Sequence, residues 1–227
     1  MKKKNAIPTG SRWIWIVLFW GALWGLAEAT LGFVLHAAAA AIPGIQGFVM
    51  FPIAFVLMER AVAASGKPWA AFAASWIAAG VKMADFLIPG AVPLRVLNPA
   101  LALLLEGFVV WGVLAWCGRS GVRVNGWHAL AASLLWRGLF LGDQGVLALC
   151  AIPAGLVTNG WEPALRFLLL EGAVNALLIW GWLALPWPAR SGAGREPGRS
   201  ESALARIPLP VWSGSLLTLA FVAQLLF

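Results

Sequence analysis

The chain has 227 residues, of which 61% are hydrophobic and 11% charged, with a formal net charge of +7. That balance excludes a soluble globular domain, and apolar runs of roughly 20 residues, the length that crosses a bilayer as a helix, recur along it. The positive charge is not a nucleic-acid footprint. Lys2, Lys3, Lys4 and Arg12 precede the first apolar run, and Arg190, Arg195, Arg199 and Arg206 share one hydrophilic linker, so they read as topology signals.

Residues 1–12 are a basic flank, expected to be cytoplasmic. They resemble the start of a signal peptide, and Ala27-Glu28-Ala29 imitates a cleavage site. The apolar run from 13 to about 41 is too long for a signal core, so it is read as an uncleaved first helix. On it Gly21, Gly25, Glu28, Gly32 and His36 fall on one helical stripe. Small residues on such a stripe admit a second helix closely in lipid, so Glu28 and His36 are expected to face protein.

The second span, 45–64, ends at Glu59-Arg60. The third, 69–88, carries Lys82 and Asp85 at i, i+3, a spacing that permits a pair. The fourth, 98–116, holds Glu106 near its middle. The fifth, 126–152, holds Arg137 and Asp143, which point to different sides of a helix and need partners elsewhere. The sixth, 163–185, places Glu171 and Asn175 on a shared face. Residues 187–206, rich in Pro, Gly, Ser and Arg, read as a disordered cytoplasmic linker between a six-span core (13–186) and a seventh span at 207–227. That last span has no ionisable residue and is read as an added anchor or packing helix, not as part of the site.

A pattern recurs across the chain. Ile42-Pro43-Gly44, Ile88-Pro89-Gly90 and Ile152-Pro153-Ala154-Gly155 each precede a second proline, Pro52, Pro99 or Pro163. A carboxylate follows seven or eight residues later: Glu59, Glu106 or Glu171. Pro99 and Pro163 are expected to open their helices, where a missing N–H has no intrahelical partner to lose. The segments 91–97 and 156–161 are expected to be loops lining a cavity, since irregular backbone at membrane depth is tolerated there. The core is thus read as three repeated helical hairpins in an all-α, polytopic membrane bundle of about seven spans.

Twelve Lys and Arg fall in the N-terminus and in the loops after spans two, four and six. The opposite loops hold Arg95, with Arg166 just inside span six. The positive-inside rule then places the N-terminus in the cytoplasm of a cell's inner (cytoplasmic) membrane, with the Ile-Pro segments outside. Most of the fifteen Trp lie near span ends, as an interfacial belt requires, with Trp24, Trp76 and Trp111 deeper. Cys117 and Cys150 are expected near opposite faces of the membrane, and no metal-type Cys spacing occurs.

A charge at mid-bilayer costs roughly 2.5–3.5 kcal/mol, so ionisable residues in spans usually face an interior or a wet cavity. The candidate solute-contacting residues are Glu28, Lys82, Asp85, Glu106, Arg137, Asp143, Glu171 and Asn175. A net negative lining favours a cationic or zwitterionic solute. No nucleotide-binding glycine loop, nucleophile elbow or His-Glu-x-x-His is present, so neither cofactor, metal nor catalytic residue is assigned. In gross features residues 12–186 resemble the substrate-binding S-components of energy-coupling-factor vitamin transporters. The likeness lies in about six spans, an inside N-terminus, an outward site and the stripe Gly21, Gly25, Ala29 and Gly32. No diagnostic motif carries it, and the seventh span departs from it. The resemblance implies a small-solute transporter, or the solute-binding subunit of one, with an energising partner docked on that stripe. The alternatives are an intramembrane enzyme using carboxylates with a metal, and a structural subunit of a membrane complex.

Overall fold

The computed structural model describes residues 12–42, 44–152, 155–185 and 209–226. The basic segment 1–11, Pro43, Pro153, Ala154 and the whole of the expected 187–206 linker lie outside the described residues. Those described are helical, with no strand among them. Six helices are long and apolar enough to cross a membrane. In chain order they are α1 (Arg12–Ala38), α2 (Ile45–Ser65), α3 (Ala70–Leu87), α4 (Pro93–Ser120), α6 (Trp161–Ala184) and α7 (Leu209–Leu226). Between α4 and α6 lies α5 (Gly126–Leu149), which has the length. Its polar content, His128, Arg137, Asp143 and Gln144 among them, leaves it outside that apolar set.

Side-chain distribution is inside-out relative to a water-soluble protein. Arg137 and Asn175 are 0% exposed and Glu106 and Glu171 each 7%, whereas Trp76, Leu135, Leu177 and Leu219 stand exposed on the outside of their helices. Neighbouring pairs close a ring in the order α1, α3, α4, α5, α6, α2, with α7 laid along the outside of α1. Trp24, Phe51, Phe55, Met58, Val110 and Ile179 fill the shared interior.

The glycine stripe of α1 is used inside the chain. A Cβ on Gly21 would lie 2.6 Å from Ile77 Cβ, and one on Gly25 would lie 2.9 Å from Val81, so only glycine lets α3 approach this closely. Gly21, Gly25, Ala29 and Gly32 are all buried. The expected docking face for an energising subunit is therefore corrected: α3 already occupies its Gly21–Gly25 part.

Helix ends correct several boundaries. α4 begins at Pro93, a favoured first-turn residue, after Val92 in the extended conformation that precedes proline. The loop expected over 91–97 is thus mostly helix. Pro99 does not open α4 but lies inside it, as Pro52 lies inside α2. Pro163 falls in the first turn of α6, close to expectation. Gly121, at φ +62°, closes α4 in the left-handed conformation that costs glycine little. Asn125 caps α5 by accepting from the backbone N–H groups of Trp127 and His128, while His128 Nδ1 accepts from Asn125 N–H. His128 is thereby a capping residue.

Two helices carry a π-helical segment, Glu28–Gly32 in α1 and Arg166–Leu170 in α6. A π turn accommodates one extra residue. This accounts for the spacing in α6, where Glu171 follows its proline by eight residues while Glu106 follows Pro99 by seven. The extra residue is wound into the π segment, and the carboxylate keeps its face.

Candidate functional site

A cavity of about 350 Å³ lies at the end of the bundle where α1, α3 and α5 finish and α2, α4 and α6 begin. Glu28 from α1, Lys82 from α3, Glu106 from α4 and Glu171 from α6 line it. A second cavity of about 820 Å³ adjoins it, sharing Glu28, Gln46, Lys82, Asn98 and Pro99 and reaching His36, Asp85 and Arg95. Four of the eight candidate residues therefore meet on one cavity, and Asp85 lies next door. The segment expected as a lining loop at 156–161 contributes to neither cavity.

On the far side of the Glu171 carboxylate is a buried clamp on α2. Arg137 on α5 pairs with Glu171 Oε2 at 3.7 Å and donates from Nη2 to the Gly47 carbonyl at 3.1 Å and from Nη1 to Ser133 O at 3.4 Å. Asn175 Nδ2 donates to the carbonyls of Gly47 (3.0 Å) and Phe48 (2.8 Å). The second bond has a cause in the sequence. Residue 52 is proline, so the Phe48 carbonyl has no N–H four residues ahead to accept from, and the Asn175 amide takes that place. Gly44 starts α2 at φ +84°, and a Cβ on Gly47 would collide with the Glu171 carboxylate. Arg137 is also stacked over Trp136 (4.5 Å), Phe167 (5.1 Å) and Phe51 (5.9 Å), which replaces part of the hydration it loses. Neither Arg137 nor Asn175 lines either cavity. They position Glu171 and the first turn of α2.

The other half of the site is less paired. Lys82 Nζ and Asp85 Oδ2 form the i, i+3 pair at 2.8 Å. Asp85 Oδ1 also accepts from Gln224 Nε2 of α7 at 2.6 Å. Glu28 opens the π segment of α1 and accepts only from the Trp24 indole, at 3.3 Å. Glu106 Oε2 is buried and has no hydrogen-bond partner among the described residues. His36, expected to face protein, is instead exposed on the wider cavity, with Nδ1 3.4 Å from Gln46 Oε1. Asp143 is not brought to this site. It lies in a separate, mostly apolar groove of about 480 Å³ with Trp76, Met83 and Leu147, and accepts from its neighbour Gln144 at 3.3 Å.

Gln224 is the residue that charge-based reading missed. α7 packs on α1, with Ser213 Oγ donating to Trp15 O at 2.8 Å, but the expectation that it stays outside the site is corrected, because Gln224 lines the wider cavity. These two contacts run α7 parallel to α1. A lone amide within an 18-residue apolar helix was the available signal, since such groups rarely face lipid.

The aromatic wall of the central cavity consists of Phe51, Trp136, Phe140 and Phe167, with ring centroids 5.4–6.5 Å apart. The cavity thus combines carboxylates with an aromatic wall, and the Arg137 paired with Glu171 stands against that wall. Among the described residues no group of three or more His, Cys, Asp or Glu is placed to hold a metal ion. Comparison with protein-family models, with curated proteins and with solved structures finds no match to this chain.

Proposed function

We propose that the chain is a multi-pass membrane protein that binds a small solute, as a transporter or as the solute-binding subunit of one, with α5 as a seventh crossing helix. The observation that carries this reading is the convergence of Glu28, Lys82, Glu106 and Glu171, from four helices, on one cavity. Charges that only fix helix register are expected as dispersed pairs at helix contacts, not drawn together on one cavity. A cavity of this size, mostly apolar with a few convergent polar groups, is the form small-molecule sites take.

Positive charge supports the orientation. Arg12, Arg60, Lys67, Arg119 and Arg123 lie at the end of the bundle opposite the cavity, and only Arg95 and Arg166 flank the cavity end. The cavity then faces the extracytoplasmic side. Cys150 is exposed at that end and Cys117 is buried. A membrane-impermeant maleimide should label Cys150 in intact cells or spheroplasts; labelling only after lysis reverses the orientation.

The function itself is tested by thermal denaturation of the detergent-purified full chain against amino acids, vitamins, polyamines and divalent cations. A ligand of the native state raises the midpoint by mass action, and the rise should vanish in Glu106→Gln. If no compound in the panel shifts the midpoint, the solute-binding reading fails and a structural subunit is the better account.

A further inference from the structure

We propose that the central cavity takes a small amine: an N–H-bearing ammonium held by Glu28 and Glu106, on a neutral, flat apolar body lying against Phe140 and Phe167. This rests on the solute-binding reading and adds the chemical class and the orientation of the ligand.

The head group follows from which charges are answered and which are not. Among the described residues the salt bridges are Lys82 with Asp85 and Arg137 with Glu171. Glu28 and Glu106 line the same cavity with no cation at ion-pair distance among the described residues. Glu106 is 7% exposed, and its Oε2 has no donor. A buried carboxylate oxygen without a donor is strongly disfavoured, so the geometry calls for a group that brings both positive charge and N–H. A quaternary ammonium brings charge without the N–H and leaves Oε2 unanswered.

The orientation follows from Arg137. Aromatic faces ordinarily attract cations, and a cavity with four rings could be taken for a cation cage. Here the guanidinium already stands over Trp136, Phe167 and Phe51 at 4.5–5.9 Å. A second cation at that wall would face a buried like charge a few ångströms behind the rings. The aromatic wall is therefore an apolar surface for a neutral body, and the ammonium is directed to Glu28 and Glu106 instead. Phe140 and Phe167, only partly buried, supply the exposed ring surface.

The test is a matched series measured by calorimetry on the full chain in nanodiscs. It comprises tryptamine, its N,N,N-trimethyl analogue (no N–H), tryptophol (no charge), indole-3-acetate (reversed charge) and ethylamine (no body). Tryptamine should bind at least about tenfold more tightly than each of the others, the loss expected for one charge-assisted hydrogen bond or one apolar body. Glu106→Gln should lower tryptamine affinity by about tenfold or more while eluting as a folded, monodisperse protein. Glu28→Gln provides a second variant should Glu106→Gln fail to fold. If the trimethyl analogue or indole-3-acetate binds as well as tryptamine, the inference is overturned and solute binding stands. The same holds if tryptamine fails while another solute of the wider panel binds. If nothing binds from either set, the solute-binding reading falls with it.

Discussion

Glu171 on α6 and Glu106 on α4 are buried to the same degree, at matched distances beyond a proline, yet they belong to different kinds of surroundings. On the α2–α5–α6 side, Glu171 has Arg137 beside it, and Arg137 and Asn175 donate to carbonyls of the first turn of α2, including the Phe48 carbonyl that Pro52 leaves open. On the α1–α3–α4 side, Glu106 and Glu28 have no cation at ion-pair distance among the described residues, although Lys82 lines the same cavity. Burial alone therefore does not separate a charge that builds the bundle from one kept for a ligand. What separates them is whether the rest of the chain supplies the partner.

Substitutions should divide along the same line. The largest effect is expected for Arg137→Leu, which strands Glu171 and releases the Gly47 carbonyl. Removing one member of a buried pair costs about 3–5 kcal/mol, so detergent extracts should show loss of the monodisperse peak in size-exclusion chromatography. A well-folded variant would break the comparison. Next is Asn175→Ala, which leaves the Phe48 carbonyl without a donor at about 1–3 kcal/mol. In a Pro52→Ala background an N–H returns four residues ahead of Phe48, so Asn175→Ala should cost clearly less there. Equal penalties in the two backgrounds would show that the amide does not stand in for the proline's missing bond. Gln224→Leu should cost about 0.6–1.7 kcal/mol, the range of interhelical hydrogen bonds in membranes. It should be read as a modest fall in denaturation midpoint, and no fall would return α7 to the role of an anchor. Glu106→Gln should be smallest, neutral to slightly stabilising without ligand, because it replaces an unanswered charge by an amide of the same shape. A loss on the scale of Arg137→Leu would mean that Glu106 has a structural partner after all.

Much of the fold was legible because bilayers impose length and apolarity directly on sequence. Each predicted span corresponds to a helix, and the Lys82–Asp85 pair forms as its spacing implies. Helix starts were less legible. Pro99 reads as an opening residue because proline at a first turn forfeits no intrahelical hydrogen bond, whereas in a membrane bundle neighbours can answer the carbonyl freed by an interior proline, as Asn175 does for Pro52 in α2. The candidate residues Glu28, Lys82, Glu106 and Glu171 were found by charge, the one signal that survives without coordinates. Asp143 carried the same signal and went elsewhere, because the face it occupies on α5 was not determined by its spacing from Arg137. Gln224 was passed over for the opposite reason: it is neutral and sits alone in an apolar run. The clamp on Gly47 joins residues 90 and 128 positions apart, and no local pattern encodes so distant a pairing.

The split between self-answered and distantly answered charge also bears on how the chain enters a bilayer during synthesis. In the seven-span arrangement proposed above, α3 carries Lys82 and Asp85 within one turn, so it reaches the translocon with its counter-ion aboard and can partition singly. α5 cannot do so. It falls outside the apolar set, and its guanidinium, worth about 2.5–3.5 kcal/mol against partitioning at a helix centre, finds its ion-pair partner among the described residues in Glu171, one helix later. In that arrangement α5 and α6 would enter the membrane as a hairpin, and the ion pair of the finished bundle would also set the unit in which it is built.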